Sequence, residues 1–153
     1  MRSFGERKDV IRRETFRFVD GAGYERELMH ILRANRNFVV RSAGSHQCDL
    51  IVVSLRTGAV MILEVKSFTG GVFSVRRKAA DLEQWHEILN LIKELPSFIT
   101  VRYALRQKSG KGDQWRFISP AVLEKPYHWD APQMAIGCVN ADMPLAAVAV
   151  AVD

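Results

Sequence analysis

Three residues in the first half of the chain have the types and spacing to do chemistry on a phosphate ester: Asp49, Glu64 and Lys66. Asp49 stands just before the apolar run Leu50-Ile51-Val52-Val53, and Glu64-Val65-Lys66 follows the run Val60-Met61-Ile62-Leu63. Both runs are short and rich in β-branched residues, with Arg56-Thr57-Gly58 between them, so the pattern predicts two buried strands joined by a tight turn. Strand side chains alternate with period 2, which sets Glu64 and Lys66 on one face. A carboxylate and an ammonium at a buried strand end are costly unless they pair or hold an ion. With Asp49 alongside, this is the layout of a metal-dependent phosphodiesterase site. The plain alternative is an ion pair on an exposed strand end with Asp49 as a strand cap, and such surface pairs contribute little.

The elements that must position these residues follow from periodicity. Tyr24, Leu28, Ile31 and Leu32 fall at i, i+4, i+7 and i+8, the stripe of an amphipathic helix packed on a core. Arg26, His30 and Arg33 lie on its opposite flank, whereas Glu25 sits at the edge of the stripe, an unusual place for a merely solubilising residue. Asn37 opens a strand, Phe38-Val39-Val40-Arg41, and the polar loop Ser42 to Gln47 leads to Asp49. Beyond Lys66 the chain reads Phe68-Thr69-Gly70-Gly71, a short strand Val72 to Val75, and the basic cluster Arg76-Arg77-Lys78. Leu82, Trp85, Ile88, Leu89, Ile92 and Leu95 then repeat with helical spacing until Pro96 ends the run. Phe98 to Leu105 and Gln114 to Ile118 read as two further strands. The order α, β, β, β, α, β, β implies an α/β fold, a mixed central sheet flanked by helices. Residues 120–153 hold four prolines, which forbids one continuous helix, and the terminal Leu145 to Val152 is open between an edge strand, a helix and a subunit contact.

A chain of 153 residues is long enough for a real hydrophobic core and too short for two independent ones. Gly21-Ala22-Gly23 reads as a break, so residues 1–20 are expected to form a basic N-terminal arm and residues 21–153 a single domain. No apolar run approaches the roughly 18 residues of a membrane span, and the N-terminus lacks the centre of a secretory signal, so no membrane is expected. A cytoplasmic or nucleoid-associated location follows from that expectation. Cys48 and Cys138 have no second ligand pair nearby, which argues against a disulfide framework or a zinc knuckle. Residues 1–45 hold ten Lys/Arg against six Asp/Glu and residues 46–80 five against two, whereas residues 120–153 hold one against four. The basic excess therefore sits around the candidate site, and a basic half with an acidic end fits a polyanionic substrate better than a uniformly basic solvated surface does.

With Glu25, Asp49 and Glu64-Val65-Lys66 in place, the chain resembles the PD-(D/E)xK nucleases, and within them the archaeal-type Holliday junction resolvases, cellular or viral. The resemblance rests on Tyr24-Glu25-Arg26-Glu27, Phe38 to Ser45, Asp49-Leu50-Ile51 and Ile62 to Ser67, in that order, over about the first half of the chain. The second half is similar more weakly, through Glu83-Gln84 and the strand from Phe98. Cys48 stands where the motif has Pro, and the loop from Ser45 to Asp49 is shorter than in several relatives.

The resemblance implies a restriction-endonuclease-like fold and a homodimer that cuts four-way junctions in branched double-stranded DNA. It assigns catalytic roles to Glu25, Ser45, Asp49, Glu64 and Lys66. Asp49, Glu64 and the main-chain carbonyl of Val65 would hold Mg²⁺, with Mn²⁺ able to substitute. Glu25 would support the ion's water shell or complete a second metal position, and Ser45 would hydrogen-bond the scissile phosphate. Arg26, Arg33, Arg41, Arg76, Arg77 and Lys78 are the expected phosphate contacts, which position DNA without reading its sequence. His46 and Gln84 stand between a site role and ordinary solvation. The alternatives are a nickase or nuclease for other branched or linear DNA, and a DNA-binding module without catalysis.

Overall fold

The computed structural model describes residues 21–42, 48–108, 115–130 and 135–139. Ser45, His46, the expected arm over residues 1–20 and the run from Leu145 lie outside them. Helix α1 runs Gly21–Ala34. The glycines expected to break the chain thus occupy the first turn of the helix. Each glycine disfavours a helix by about 1 kcal/mol relative to Ala, but Tyr24, Leu28, Met29, Ile31 and Leu32 are all buried. A fully buried side chain of this size contributes about 1.5–3 kcal/mol, so packing outweighs propensity.

Strands β1 (Asn37–Arg41), β2 (Leu50–Ser54) and β3 (Val60–Phe68) form an antiparallel meander. The β2–β3 turn is closed by the Ser54 hydroxyl, which accepts from the Arg56 and Thr57 N–H groups at 3.3 and 3.2 Å. Gly58 completes that turn at φ +76°, left-handed backbone that a residue with a Cβ adopts reluctantly. Both strands were expected to be buried, yet β2 is covered on one face only: Leu50 and Val52 are inaccessible while Ile51 is exposed. Strand β3 extends past Lys66 to Phe68, and the following strand is shorter than expected, β4 covering only Val72–Phe73.

Helix α2 (Ala79–Glu94) carries the chain across to β5 (Ile99–Gln107), which pairs parallel with β3. A parallel neighbour requires such a crossover. Leu82, Trp85, Ile88, Leu89 and Leu95 pack in the core on this side of the sheet as their spacing predicts, but Ile92 is exposed. Strands β6 (Trp115–Ile118), β7 (Tyr127–His128) and β8 (Ala135–Val139) follow, with a 3₁₀ turn at Pro120–Glu124. The sheet order is β1-β2-β3-β5-β6-β8, mixed as expected, and β4 and β7 form a separate two-stranded ladder.

Two cores result, one on each face of the sheet. Leu63, Ala104 and Phe117 pack with α1, and their strand neighbours Tyr103, Leu105 and Ile118 pack with α2. Ile62 and Phe68 lie on the α2 side, so alternation puts Glu64 and Lys66 there too. Trp85 fixes α2 in turn, its indole N–H donating to the Pro120 carbonyl at 2.8 Å.

Candidate active site

The antiparallel β2–β3 register pairs Leu50 with Leu63, so one step further brings Asp49 beside Glu64. The Asp49 N–H donates to the Leu63 carbonyl at 2.9 Å, and the Asp49 carboxylate Oδ2 accepts from the Val65 N–H at 2.8 Å. Asp49 is therefore held by the backbone of the very strand that carries Glu64 and Lys66.

Glu64 is only 2% exposed. Its Oε1 accepts from Gln84 Nε2 at 2.8 Å and lies 3.5 Å from Lys66 Nζ, while its Oε2 has no hydrogen-bond partner among the described residues. Burial pushes the Glu64 carboxyl up to about 8 and the Asp49 charge adds to the rise, against the pull of Lys66 and Gln84. Lys66 reaches Asp81 Oδ1 at 3.0 Å. Burial alone would lower the Lys66 ammonium, but the hydrogen bond to Asp81 and the charges of Glu64 and Asp81 outweigh it, and the net shift is upward.

Glu25 projects from α1 and is buried, as its position at the edge of the stripe predicts. Its Oε1 accepts from Arg41 Nε at 2.6 Å. Burial and then the charge of Asp49 raise the Glu25 carboxyl, and Arg41 and Arg26 oppose them incompletely. Cys48, in the position of the motif's proline, packs against the α2-side core. Burial, then the charges of Glu64 and Asp49, push its thiol up to about 12, so it offers no thiolate near neutral pH.

Two neighbours escaped the sequence reading. Asp81 stands three residues before Gln84 and four before Trp85, hence on the inward side of α2, a signal visible once the phase of that helix is known. Tyr103 pairs with Glu64 across the parallel ladder and is fully buried, its hydroxyl without a partner among the described residues. Burial, then the charges of Glu64, Cys48 and Asp81, raise its pKa.

Among the described residues, no three His, Cys, Asp or Glu side chains form a ready-made metal cage. The donors present still fit a hard cation. A buried carboxylate with one free oxygen, crowded by a second carboxylate, is relieved by positive charge, and Mg²⁺ accepts few protein ligands because it keeps several waters.

Residues 18–133 match the family model described as archaeal Holliday junction resolvase (hjc), a span that contains every described site residue. The chain belongs to the archaeal Holliday junction resolvase family. It is accordingly a Holliday junction resolving nuclease, and this decides among the readings left open by the sequence. Among solved structures it is similar to Archaeoglobus fulgidus Hjc, a Holliday junction resolvase from an archaeal hyperthermophile. The TM-score is 0.51 at 20% identity, covering 81% of this chain and 98% of that one. At that identity the likeness shows the fold, restriction-endonuclease-like as expected. No curated protein matches the chain.

The basic residues expected to meet DNA lie on α1, at the end of β1 and just ahead of α2. Arg26 is exposed on α1 beside Glu25. Arg33 donates to the Val39 carbonyl at 3.0 Å and ties α1 to β1. Arg41 is engaged by Glu25, although its side chain remains 48% exposed. Arg76, Arg77 and Lys78 are exposed just ahead of α2, with Arg76 over the Trp85 ring at 5.6 Å and its Nε 3.4 Å from the Glu124 carbonyl. No described helix is long and apolar enough to cross a membrane.

Proposed function

We propose that the resolvase cuts its junction with Asp49, Glu64 and Lys66, and that Asp49, Glu64 and the main-chain carbonyl of Val65 hold Mg²⁺, with Mn²⁺ able to replace it. The observation that carries this reading is the buried, half-satisfied carboxylate of Glu64 beside Asp49. When bound, the cation polarises the phosphate and lowers the pKa of a water. Gln84 fixes the Glu64 rotamer from one side and leaves Oε2 for the ion. The backbone N–H of Val65 orients Asp49. Lys66 stabilises negative charge growing on the phosphoryl oxygens and places the attacking water, acting from a partly buried side chain that strengthens the interaction. Glu25 supports the ion's water shell or completes a second metal position, and Arg41 balances its charge. Ser45, between β1 and Asp49 in the sequence, hydrogen-bonds the scissile phosphate.

Arg26, Arg41, Arg76, Arg77 and Lys78 contact flanking phosphates, and the arm over residues 1–20 adds more from outside the domain. Arg33 contributes less, being committed to the backbone of β1. The substrate would place the protein with DNA in the cytoplasm or nucleoid. A four-way junction is nearly two-fold symmetric, and one site per chain suits a C₂ homodimer that makes paired cuts. Exposed Phe38, Val40 and Ile51, neighbours on the same face of the β1–β2 pair, give an apolar strip of the kind a second copy covers.

A metal-replacement assay tests the reading on a four-way junction beside a linear duplex. After chelation, Mg²⁺ or Mn²⁺ restores cleavage of the junction, and Ca²⁺ supports binding with poor chemistry. Full cleavage in excess chelator would overturn it.

A further inference from the structure

We infer that Asp81, on the first turn of α2, is a positioning residue for Lys66 that holds the ammonium off Glu64 and so keeps that carboxylate open to a cation. The inference rests on the roles proposed above for Glu64 and Lys66. Lys66 Nζ lies 3.0 Å from Asp81 Oδ1 and 3.5 Å from Glu64 Oε1, so its closer partner is the carboxylate that faces it from the helix. An ammonium is a compact point charge on a flexible stem and settles on whichever anion is nearest. Without Asp81, the nearest carboxyl is that of Glu64, two residues away on the same face of β3, and the ammonium would draw it into an ion pair. Lys66 would close onto Oε1 and compete with a cation for the same carboxylate.

Other contacts support a built arrangement over a chance surface pair. The side chains of Lys66 and Asp81 are each 23% exposed, so the pair is screened less than one in open solvent. Gln84, one turn along the same helix, donates to Glu64 Oε1 at 2.8 Å. Helix α2 thus presents an acceptor to the lysine and a donor to the glutamate, each group where the opposite function is needed. The helix is in turn seated by Trp85 and Ile88, both buried, so Asp81 and Gln84 are placed by packing, independently of the contacts they make.

The test compares Asp81→Ala, Asp81→Asn and Lys66→Ala, together with an Asp81→Ala protein that also carries Ala80→Glu. The last returns a negative charge to the first turn of the helix on Ala80, an exposed position, without restoring the partner of Lys66. Asp81→Ala is expected to slow single-turnover junction cleavage by about 10–100-fold, the usual effect of removing an outer partner of a metal site. It should also raise the Mg²⁺ concentration for half-maximal cleavage and for half-maximal thermal stabilisation, with junction affinity in the absence of metal unchanged. Asp81→Asn, which keeps an acceptor but no charge, falls between. Adding Ala80→Glu should recover the unfolding temperature in chelator and leave the rate and the Mg²⁺ requirement impaired. Wild-type rate and Mg²⁺ requirement in Asp81→Ala, or recovery of both by Ala80→Glu, would overturn the assignment. If Lys66→Ala itself cleaves normally, the underlying reading of the site fails; if only Asp81→Ala does, the failure is confined to Asp81.

Discussion

Replacing Glu64 by Gln should make the metal-free protein more stable as the pH rises, even as it abolishes function. The Glu64 carboxyl is pushed up to about 8 in the folded chain, from an ordinary value of 4.5. Below pH 4.5 both folded and unfolded chains keep the proton, and Glu64 adds no pH dependence. Between the two values the unfolded chain loses the proton while the folded one retains it, so stability falls as pH rises and levels off only above the folded value. At 1.36 kcal/mol per pKa unit, the loss between pH 5.5 and 8.5 is on the order of 3 kcal/mol. That is a large share of the roughly 5–15 kcal/mol that holds a domain together. Gln keeps the oxygen that accepts from Gln84 but cannot ionise. Its buried amide also needs a partner, at a cost of about 1–3 kcal/mol that does not vary with pH. Subtracting the two proteins cancels groups whose shifts do not depend on the Glu64 charge, Glu25 among them; Cys48 does feel that charge, but its folded thiol, raised chiefly by burial, stays protonated across this range. Urea unfolding in chelator at both pH values measures the difference. We expect the stability of Glu64→Gln relative to wild type to rise by about 3 kcal/mol from pH 5.5 to 8.5, and Mg²⁺ at pH 8.5 to stabilise the wild type alone. Parallel pH profiles for the two proteins would refute the reasoning.

Three further outcomes follow. Ile88→Ala, at a fully buried position in the core that seats α2, should cost about 2–5 kcal/mol in chemical denaturation, with cleavage by the remaining folded protein reduced because Asp81 and Gln84 shift with the helix. Deleting residues 2–17 removes six basic residues, so junction affinity should weaken and the slope of log affinity against log salt should flatten; an unchanged slope would assign the arm no phosphate contacts. Phe38→Glu, on the exposed apolar strip, should shift sedimentation toward monomer and convert paired cuts into single nicks, whereas an unaltered dimer would place the subunit contact elsewhere.

Much of the site was legible in the sequence because it is built on strands, where period 2 ties spacing directly to facing. Glu64 and Lys66 share a face, Asp49 reaches them through the β2–β3 register, and Glu25 is buried at the edge of the α1 stripe, all as the residue pattern implies. Asp81 was not legible, since its role depends on the rotation of α2 against the sheet, which is settled by Trp85 and Ile88 packing in the core. The glycines at 21 and 23 misled for a related reason: local propensity argues for a break, and the burial of Tyr24 and Leu28 overrides it. Strand β8 was also missed, because Ala135-Ile136-Gly137-Cys138-Val139 is short and mixed in character and becomes a strand by pairing with β6. Ile92 shows the converse, a residue in phase with the apolar stripe that is nonetheless exposed, while Leu95 three residues on still packs.

The central claim is that Asp49, Glu64 and Lys66 do the chemistry and do not do the binding. Cleavage and gel-shift affinity should therefore be measured on the same four-way junction for wild type, Asp49→Asn and Lys66→Ala, with Mg²⁺ for cleavage and Ca²⁺ for binding. The account predicts no detectable cleavage by either variant and affinity within a few-fold of wild type, because a carboxylate repels phosphate until a cation intervenes and the exposed arginines remain. Near-normal cleavage by either variant, or affinity lost in step with activity, would contradict it.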